Sequence, residues 1–253
     1  MRGQPGECRS GARILWVVTG AGSYLRESAG AAVLLSRHHR VTVAFTRAGY
    51  EVARVFGVLG LFRLAAPGGY YRELVVEDSA SGVPVVNRVA AGRYDLVVIS
   101  PASSNTIAKI VSGIADSLAS SVASQALKNR VPLLVVPSER PGGSVTELPC
   151  YVDRGSCVGC LACIPVCPTG AILVAEGRAR IALEHCVGCA RCASSCPYSA
   201  IRCWERVTVQ PSPVDLENLR SLESLGVPVL PTPWDVLRVA YEKLGLCTPR
   251  LSF

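Results

Sequence analysis

Histidine is almost missing from this chain. There are three in 253 residues, His38, His39 and His185, and none lies between residues 47 and 100. Chemistry that needs an imidazole in that stretch has no candidate. Aromatic residues make up 6%, and no Lys/Arg cluster is interleaved with them, so a nucleic-acid module has no basis. No uninterrupted apolar run reaches the length that spans a bilayer. The opening MRGQPGECRSGAR is basic but has no apolar signal-peptide core, and the ILWVV after it is short enough to be a strand. Cytoplasm is the expected location. Charged residues are only 18%, unlike a disordered chain, and 49% hydrophobic content allows one large domain plus a small module. The net charge of +7 then reads as a positive surface for anionic partners, acidic electron carriers included.

Cysteine, by contrast, is abundant: twelve, of which eight fall into two repeats. CVGCLACIPVCP (157–168) has the spacing C-x2-C-x2-C-x3-C-P, and CVGCARCASSCP (186–197) repeats it. Short gaps let one tight loop supply three thiolates to a cubane cluster. In two-cluster ferredoxins the fourth cysteine serves the other cluster. The expected sets are therefore Cys157, Cys160, Cys163 and Cys196, and Cys186, Cys189, Cys192 and Cys167. Pro168 and Pro197 turn the chain away, and the matching tails TGAILV and YSAIRC mark a duplicated half-unit. Zinc normally takes two C-x2-C pairs rather than two such triplets. Residues 150–205 thus resemble the bacterial-type two-[4Fe-4S] ferredoxin family. Cys8, Cys150, Cys203 and Cys247 remain, expected as buried free thiols. A structural or extra-ligand role stays open for Cys150 and Cys203, which bracket the module.

Before the cysteines the pattern is α/β. RILWVV (13–18), RVTVAF (40–45), DLVVIS (95–100) and PLLVVP (132–137) are near-continuous apolar runs, the mark of parallel strands buried on both faces. Helical stretches lie between them, one pair broken near Gly113; ELVVE is a possible extra strand, and GVPVVNRVAAGRY a turn and short helix. After the cysteines, SPVD (212–215) and TPWD (232–235) each place a hydroxyl N-cap before Pro and Asp, so two helices are predicted, with VPVL (227–230) as a strand between them. So short a tail cannot bury itself. The expected organisation is an open parallel-sheet, Rossmann/flavodoxin-like domain over 1–149, completed by 206–253, with an inserted α+β ferredoxin module at 150–205. Three separate units are the alternative.

Ligands of open α/β sheets bind past the carboxyl ends of the strands. Gly20, Ala21, Gly22 and Ser23 follow the first strand and allow close backbone approach to a phosphate. The full G-x-G-x-x-G is missing, and Thr46 rather than an acid ends the second strand; both favour a mononucleotide over NAD. At the third end, PASSNTIAKIVSGIADSL (101–118) resembles a signature of the flavin-containing cysteine decarboxylase superfamily, through Pro101, Ala102, Ser103, Asn105, Thr106 and Gly113-Ile114-Ala115-Asp116, with Ser104 for Ala. That resemblance implies FMN in a homotrimer or a larger assembly of trimers. It implies Gly20, Ala21, Gly22, Ser23, Thr46, Ser103 and Ser104 around the phosphate and ribityl chain, and Asn105 and Thr106 near the isoalloxazine, Asn105 as the catalytic candidate. The superfamily's decarboxylases use a histidine between the second strand and this segment; here there is none, so decarboxylation is disfavoured. Pro137-Ser138-Glu139-Arg140 stands where the superfamily's later PAMN-type substrate segment would be. His38 and His39 are expected as exposed helix-end residues.

FMN accepts electrons singly and passes them on as a pair, so a two-cluster module joined to it is a one-to-two-electron converter. The order of motifs is similar to that of archaeal flavoproteins of the superfamily carrying a ferredoxin portion. This resemblance implies a ferredoxin-like donor and reduction of dihydromethanopterin, or a related dihydropterin, to the tetrahydro form, with Tyr70, Tyr71 or Arg140 as candidates to cover the pterin. A pure electron carrier and a non-catalytic iron–sulfur scaffold are the rivals.

Overall fold

The computed structural model describes residues 8–77 and 82–249. In chain order the first part carries β1 (Arg13–Val18), α1 (Leu25–Ser36), β2 (Arg40–Phe45), α2 (Arg47–Val55), α3 (Leu59–Ala65), β3 (Leu74–Val76), α4 (Gly82–Ala90), β4 (Leu96–Ala102), α5 (Ser104–Val111), α6 (Leu118–Lys128) and β5 (Leu133–Pro137). All five strands run parallel in the order β3-β2-β1-β4-β5. The strand order reverses between β1 and β4, which is where an open sheet offers a crevice at its carboxyl edge.

The apolar runs are continuous because both faces of the sheet are covered. Along β1, Ile14, Trp16 and Val18 enter a core shared with α1 and α3, while Leu15 and Val17 enter a second core with α4, α5 and α6. Alternation is present but both faces are apolar, so it is invisible as a hydrophobic–polar pattern.

The cysteine region contributes β6 (Ser144–Glu147), β7 (Tyr151–Val152), β8 (Ile172–Ala175), β9 (Arg178–Ile181), α7 (Arg191–Ser194), β10 (Ile201–Arg202) and β11 (Arg206–Val209). Entry and exit chains pair twice, β6 with β11 and β7 with β10, both antiparallel, forming a two-rung stalk. The β8–β9 hairpin turns through Glu176 and Gly177, both at positive φ. The buried core here is Cys163, Ile172, Ala179, Cys192 and Ile201, too small to hold so short a segment without further ties.

The tail supplies α8 (Pro213–Ser224) and α9 (Pro233–Leu244). Both begin with a capping box, Ser212 with Asp215 and Thr232 with Asp235. α8 lays Leu219 and Leu222 on the α5 side of the sheet, and α9 lays Val236, Leu237 and Ala240 on the α1 side. The expected strand over 227–230 is reduced to one parallel bridge, Val229 to Val135. Pro228 and Pro231 flank it, and a proline has no N–H to extend a ladder.

Two expectations are corrected. The four leftover cysteines are not free thiols: Cys8 is bonded to Cys247 and Cys150 to Cys203, with Cα atoms 4.8 and 4.0 Å apart. One bond ties the first described residue to the tail, and the other closes the neck of the cysteine region. His39 is buried rather than exposed, with Nε2 2.7 Å from the Cys247 carbonyl. The tail folds over it, which a reading of the helix end alone does not show. His38 is exposed, as expected.

Candidate functional site

The eight repeated cysteines gather in the two crossed sets. The electrostatic neighbours of the Cys163 thiol are Cys196, Cys157 and Cys160. A small cavity is lined by Cys167, Cys186, Cys189 and Cys192, with Cys150 at its wall. Burial pushes the Cys192 thiol up to about 11 and raises that of Cys163. Backbone N–H groups of Gly159 and Ala179 lower that of Cys157. N–H groups also point at sulfur elsewhere: Ala171 at Cys167 (3.2 Å) and Ala200 at Cys196 (3.3 Å). Donors aimed at sulfur are what a negatively charged thiolate cluster requires.

At the carboxyl edge of the large sheet, Thr19 joins the strands on either side of the crevice. Its hydroxyl donates to the Pro101 carbonyl (2.8 Å) and accepts the Ser103 N–H (2.8 Å). Thr46 caps α2 by accepting from Gly49 N–H (3.0 Å), and Ser103 caps α5, its Oγ 3.0 Å from Thr106 Oγ1. Ser23 is buried, and Tyr24, at φ 61°, starts α1 without a side-chain cap. Ser104 points sideways, its hydroxyl donating to Glu139, and Asn105 is exposed in the first turn of α5. Gly20 and Gly22 are required by close packing. A Cβ on Gly20 would come 2.7 Å from Ala48 Cβ, and one on Gly22 would come 2.7 Å from Thr146 Oγ1 and 3.0 Å from the Phe56 ring. The loop is thereby pressed between α2 and the β6–β11 ribbon.

Beside these residues lie Ser138, which the sequence singles out only within the Pro137–Arg140 segment, and Ser144, which it does not single out. Ser138 is buried where β5 ends, its N–H on the Ala102 carbonyl (2.8 Å), and its hydroxyl has no partner among the described residues. Ser144 Oγ in β6 is likewise buried and unpartnered. Orphaned buried hydroxyls carry a penalty unless a ligand satisfies them. With the uncapped start of α1, they fit a phosphate-bearing polyhydroxyl group such as FMN. Arg140 lies over the Tyr24 ring, 5.4 Å from its centroid, and so stands at this edge. Tyr70 and Tyr71 do not. Tyr71 is buried against Tyr94 and Arg13, at the amino end of the sheet, and Tyr70 meets it edge to face. Within one subunit they cannot cover the crevice; they precede β3, whose parallel course carries the chain toward the site only afterwards.

The cysteine region sits directly on this domain. The Arg54 guanidinium, at the end of α2, donates to the carbonyls of Cys186 (2.7 Å) and Leu183 (3.1 Å). Arg26 pairs with Glu147 (3.1 Å) and lies over the Trp204 ring. A Cβ on Gly188 would lie 2.1 Å from the Val55 carbonyl oxygen, so two backbones meet there. A cleft of about 420 Å³ runs between the Gly22 loop, α2 and residues 183–184.

Residues 2–141 match the model of the Flavoprotein family, and residues 156–200 that of the 4Fe-4S dicluster domain. The chain belongs to the flavoprotein family. Among curated relatives, dihydromethanopterin reductase (acceptor) of Methanocaldococcus jannaschii is 42% identical over 231 residues, covering 89% of this chain and 94% of the relative. The enzyme of the same name from Methanosarcina mazei is 38% identical over 235 residues, 90% and 98% of the two chains. This flavoprotein is accordingly a member of an oxidoreductase family. Of solved structures, Burkholderia xenovorans DmrB in complex with FMN, described as a cubic protein cage for redox transfer, superposes with a TM-score of 0.55 at 25% identity over 92% and 94% of the chains. The dodecameric FMN-dependent Ubix-like decarboxylase of Escherichia coli O157:H7 shares the fold, with a TM-score of 0.51 at 17% identity over 95% and 99% of the chains.

Proposed function

We propose that this flavoprotein takes single electrons from a ferredoxin-like donor through two [4Fe-4S] clusters to FMN and reduces dihydromethanopterin, or a related dihydropterin, to the tetrahydro form. When bound, the clusters supply electrons one at a time and FMN converts them to a pair. The observation that carries this reading is the seating of the second cysteine loop on α2, the helix that Thr46 caps at its other end. α2 has nine residues, so it spans about 13 Å.

In this reading each cluster is held by three cysteines of one motif and the last of the other: Cys157, Cys160, Cys163 with Cys196, and Cys186, Cys189, Cys192 with Cys167. The Gly20-Ala21-Gly22-Ser23 loop and the start of α1 receive the FMN phosphate; the Ala21 N–H is held by the Thr19 carbonyl (2.8 Å) and shapes the loop rather than donating to the ligand. Thr46, Ser103 and Ser104 border the ribityl chain, Thr106 lies toward the isoalloxazine, and Ser138 is added to them as a buried hydroxyl donor. Thr19 holds the two crevice strands in register and needs no contact of its own. Asn105, exposed at the first turn of α5, presents its amide to the isoalloxazine edge and the pterin, and Arg140 closes over the crevice from the β5 side. No histidine from 47 to 100 is available for decarboxylation. Residues 150–205 act as the electron-entry module, and 1–149 with 206–253 as the flavin domain. A higher-order assembly of trimers is proposed from the cage described for DmrB. Among the described residues no helix is long and apolar enough to cross a membrane, and the proposed location is the cytoplasm.

The test is anaerobic purification followed by mixing the dithionite-reduced protein with dihydropterin. Reoxidation of the flavin with formation of the tetrahydropterin is expected. A flavin that stays reduced identifies an electron carrier without its own substrate.

A further inference from the structure

The two cysteine loops stand in different relations to the flavin domain. The loop of the first motif packs within its own module: among the described residues a Cβ on Gly159 would meet the Gly177 backbone alone, and Val158 is 60% exposed. The loop of the second motif touches the flavin domain through Arg54 to the Cys186 carbonyl, and to Leu183 just before it, and through Gly188 to the backbone of Val55 and Gly57; on its other side Gly188 meets the module's own Trp204 ring, 2.9 Å from a Cβ built there.

Trp204 is the residue where these contacts meet. It directly follows Cys203, and the sulfurs of Cys150, Cys192 and Cys203 lie within 4.8 Å of one another. Its ring centroid is 5.5 Å from that of Phe56, and the guanidinium carbon of Arg26 is 4.9 Å above it. Phe56 in turn abuts Gly22. Trp204 adopts φ 64°, a conformation that bulky residues avoid, and its N–H is fixed by the Leu148 carbonyl (3.0 Å). Such outliers persist where the surroundings over-determine them, and they cluster at functional sites. A series of close neighbours therefore runs from Cys192 through the Cys150–Cys203 bond, the adjoining Trp204 and Phe56 to Gly22.

We propose that the cluster of the second motif is the inner one, that the cluster of the first motif receives electrons from the donor, and that Trp204 is the positioning residue holding the inner cluster in contact with the flavin loop. This rests on the function proposed above and adds the direction of flow within it. Each reduced cluster is oxidised by one electron. Two such transfers, with two protons from solvent, give the two-electron-reduced flavin, and the low-potential ferredoxin-like donor replaces both electrons. Trp204 and the disulfide are not themselves reduced; they fix the separation across which each electron passes. The positive Arg54, hydrogen-bonded beside Cys186, favours the reduced and more negative state of the inner cluster alone.

The experiment uses the anaerobic holoprotein and two variants, Trp204→Leu and Arg54→Gln, with Trp204→Phe as the conservative control. Cluster potentials are read by EPR-monitored titration, and the cluster-to-flavin rate by flash reduction followed at the flavin absorbance. Trp204→Leu is expected to slow that rate at least tenfold with iron, flavin and both potentials retained, and Trp204→Phe to restore most of it. Arg54→Gln is expected to move one cluster potential downward, that of the cluster oxidised last before the flavin is reduced. An unchanged rate in Trp204→Leu overturns the proposal, as does an Arg54→Gln shift confined to the cluster that meets the donor. A wild-type protein without flavin or clusters would instead refute the underlying function.

Discussion

The Ser103 N–H donates to Thr19 Oγ1 across 2.8 Å, and this bond joins the ends of the two strands that border the crevice. Thr19 is 1% exposed, and among the described residues its hydroxyl is satisfied by Pro101 and Ser103. Thr19→Val keeps the shape and leaves the Ser103 N–H unpaired. The expected cost is about 1–3 kcal/mol. Flavin retention should fall with it, because Ser103 and Thr106 take their positions from that bond. Chemical denaturation and flavin absorbance per mole check both effects.

Gly22 makes the crevice sensitive to a single methyl group. Gly22→Ala places a Cβ against Thr146 Oγ1 and the Phe56 ring, and must push the β6–β11 ribbon outward. Overpacking of this kind costs about 1–3 kcal/mol. The expected result is a protein that keeps its iron but loses flavin affinity, read by fluorescence titration with FMN. Gly60→Ala, where nothing among the described residues lies within 4 Å of the added Cβ, should bind flavin like the parent.

The disulfides define a redox dependence of stability. Cys8–Cys247 ties residues 239 apart and Cys150–Cys203 residues 53 apart. Each is expected to contribute about 2–4 kcal/mol. A thiol reductant should therefore lower the thermal midpoint, and Cys8→Ser should reproduce part of the fall without loss of iron. Mass spectrometry after alkylation, with and without reduction, counts the bonds.

His39 gives a pH dependence of known sign. Burial lowers its pKa below 6.5, and the hydrogen bond to the Cys247 carbonyl only partly offsets this. Below pH 6.5 the unfolded chain binds a proton that the folded chain does not, so stability falls as pH drops from 6.5 toward the lowered folded value. Above pH 6.5 this contribution is constant. The difference in unfolding free energy between the parent and His39→Gln should narrow on acidification from pH 7 to pH 5. A constant difference would contradict the assignment.

What was legible in the sequence is what repeats or alternates. The β1 and β4 runs name themselves because parallel strands are buried on both faces, and the cysteine spacing names a cluster module without any knowledge of the fold. α2 was not legible. Its Gly49 argues against a helix by propensity, yet a Cβ there would sit 2.3 Å from the Val18 carbonyl oxygen, so close approach to β1 requires it. Thr19 was missed, Ser138 was named only as part of a segment, and Trp204 was missed, all for a related reason. Their roles come from neighbours that only the completed fold supplies, Pro101 and Ser103 for the first, the end of β4 for the second, and Gly188 and Phe56 for the third. Cys8 and Cys247, at opposite ends of the chain, could not have been paired from spacing. The assignment of Asn105 and its neighbours rests on the resemblance and is a proposal.

The most direct test of the coupled iron–sulfur and flavin account is a stopped-flow record on oxygen-free protein containing about eight irons and one FMN per chain. Reductant is supplied through a ferredoxin, and cluster and flavin absorbance are followed together. The account predicts that cluster bleaching precedes flavin bleaching and that the flavin gains two electrons. Clusters that reduce while the flavin stays oxidised would contradict it.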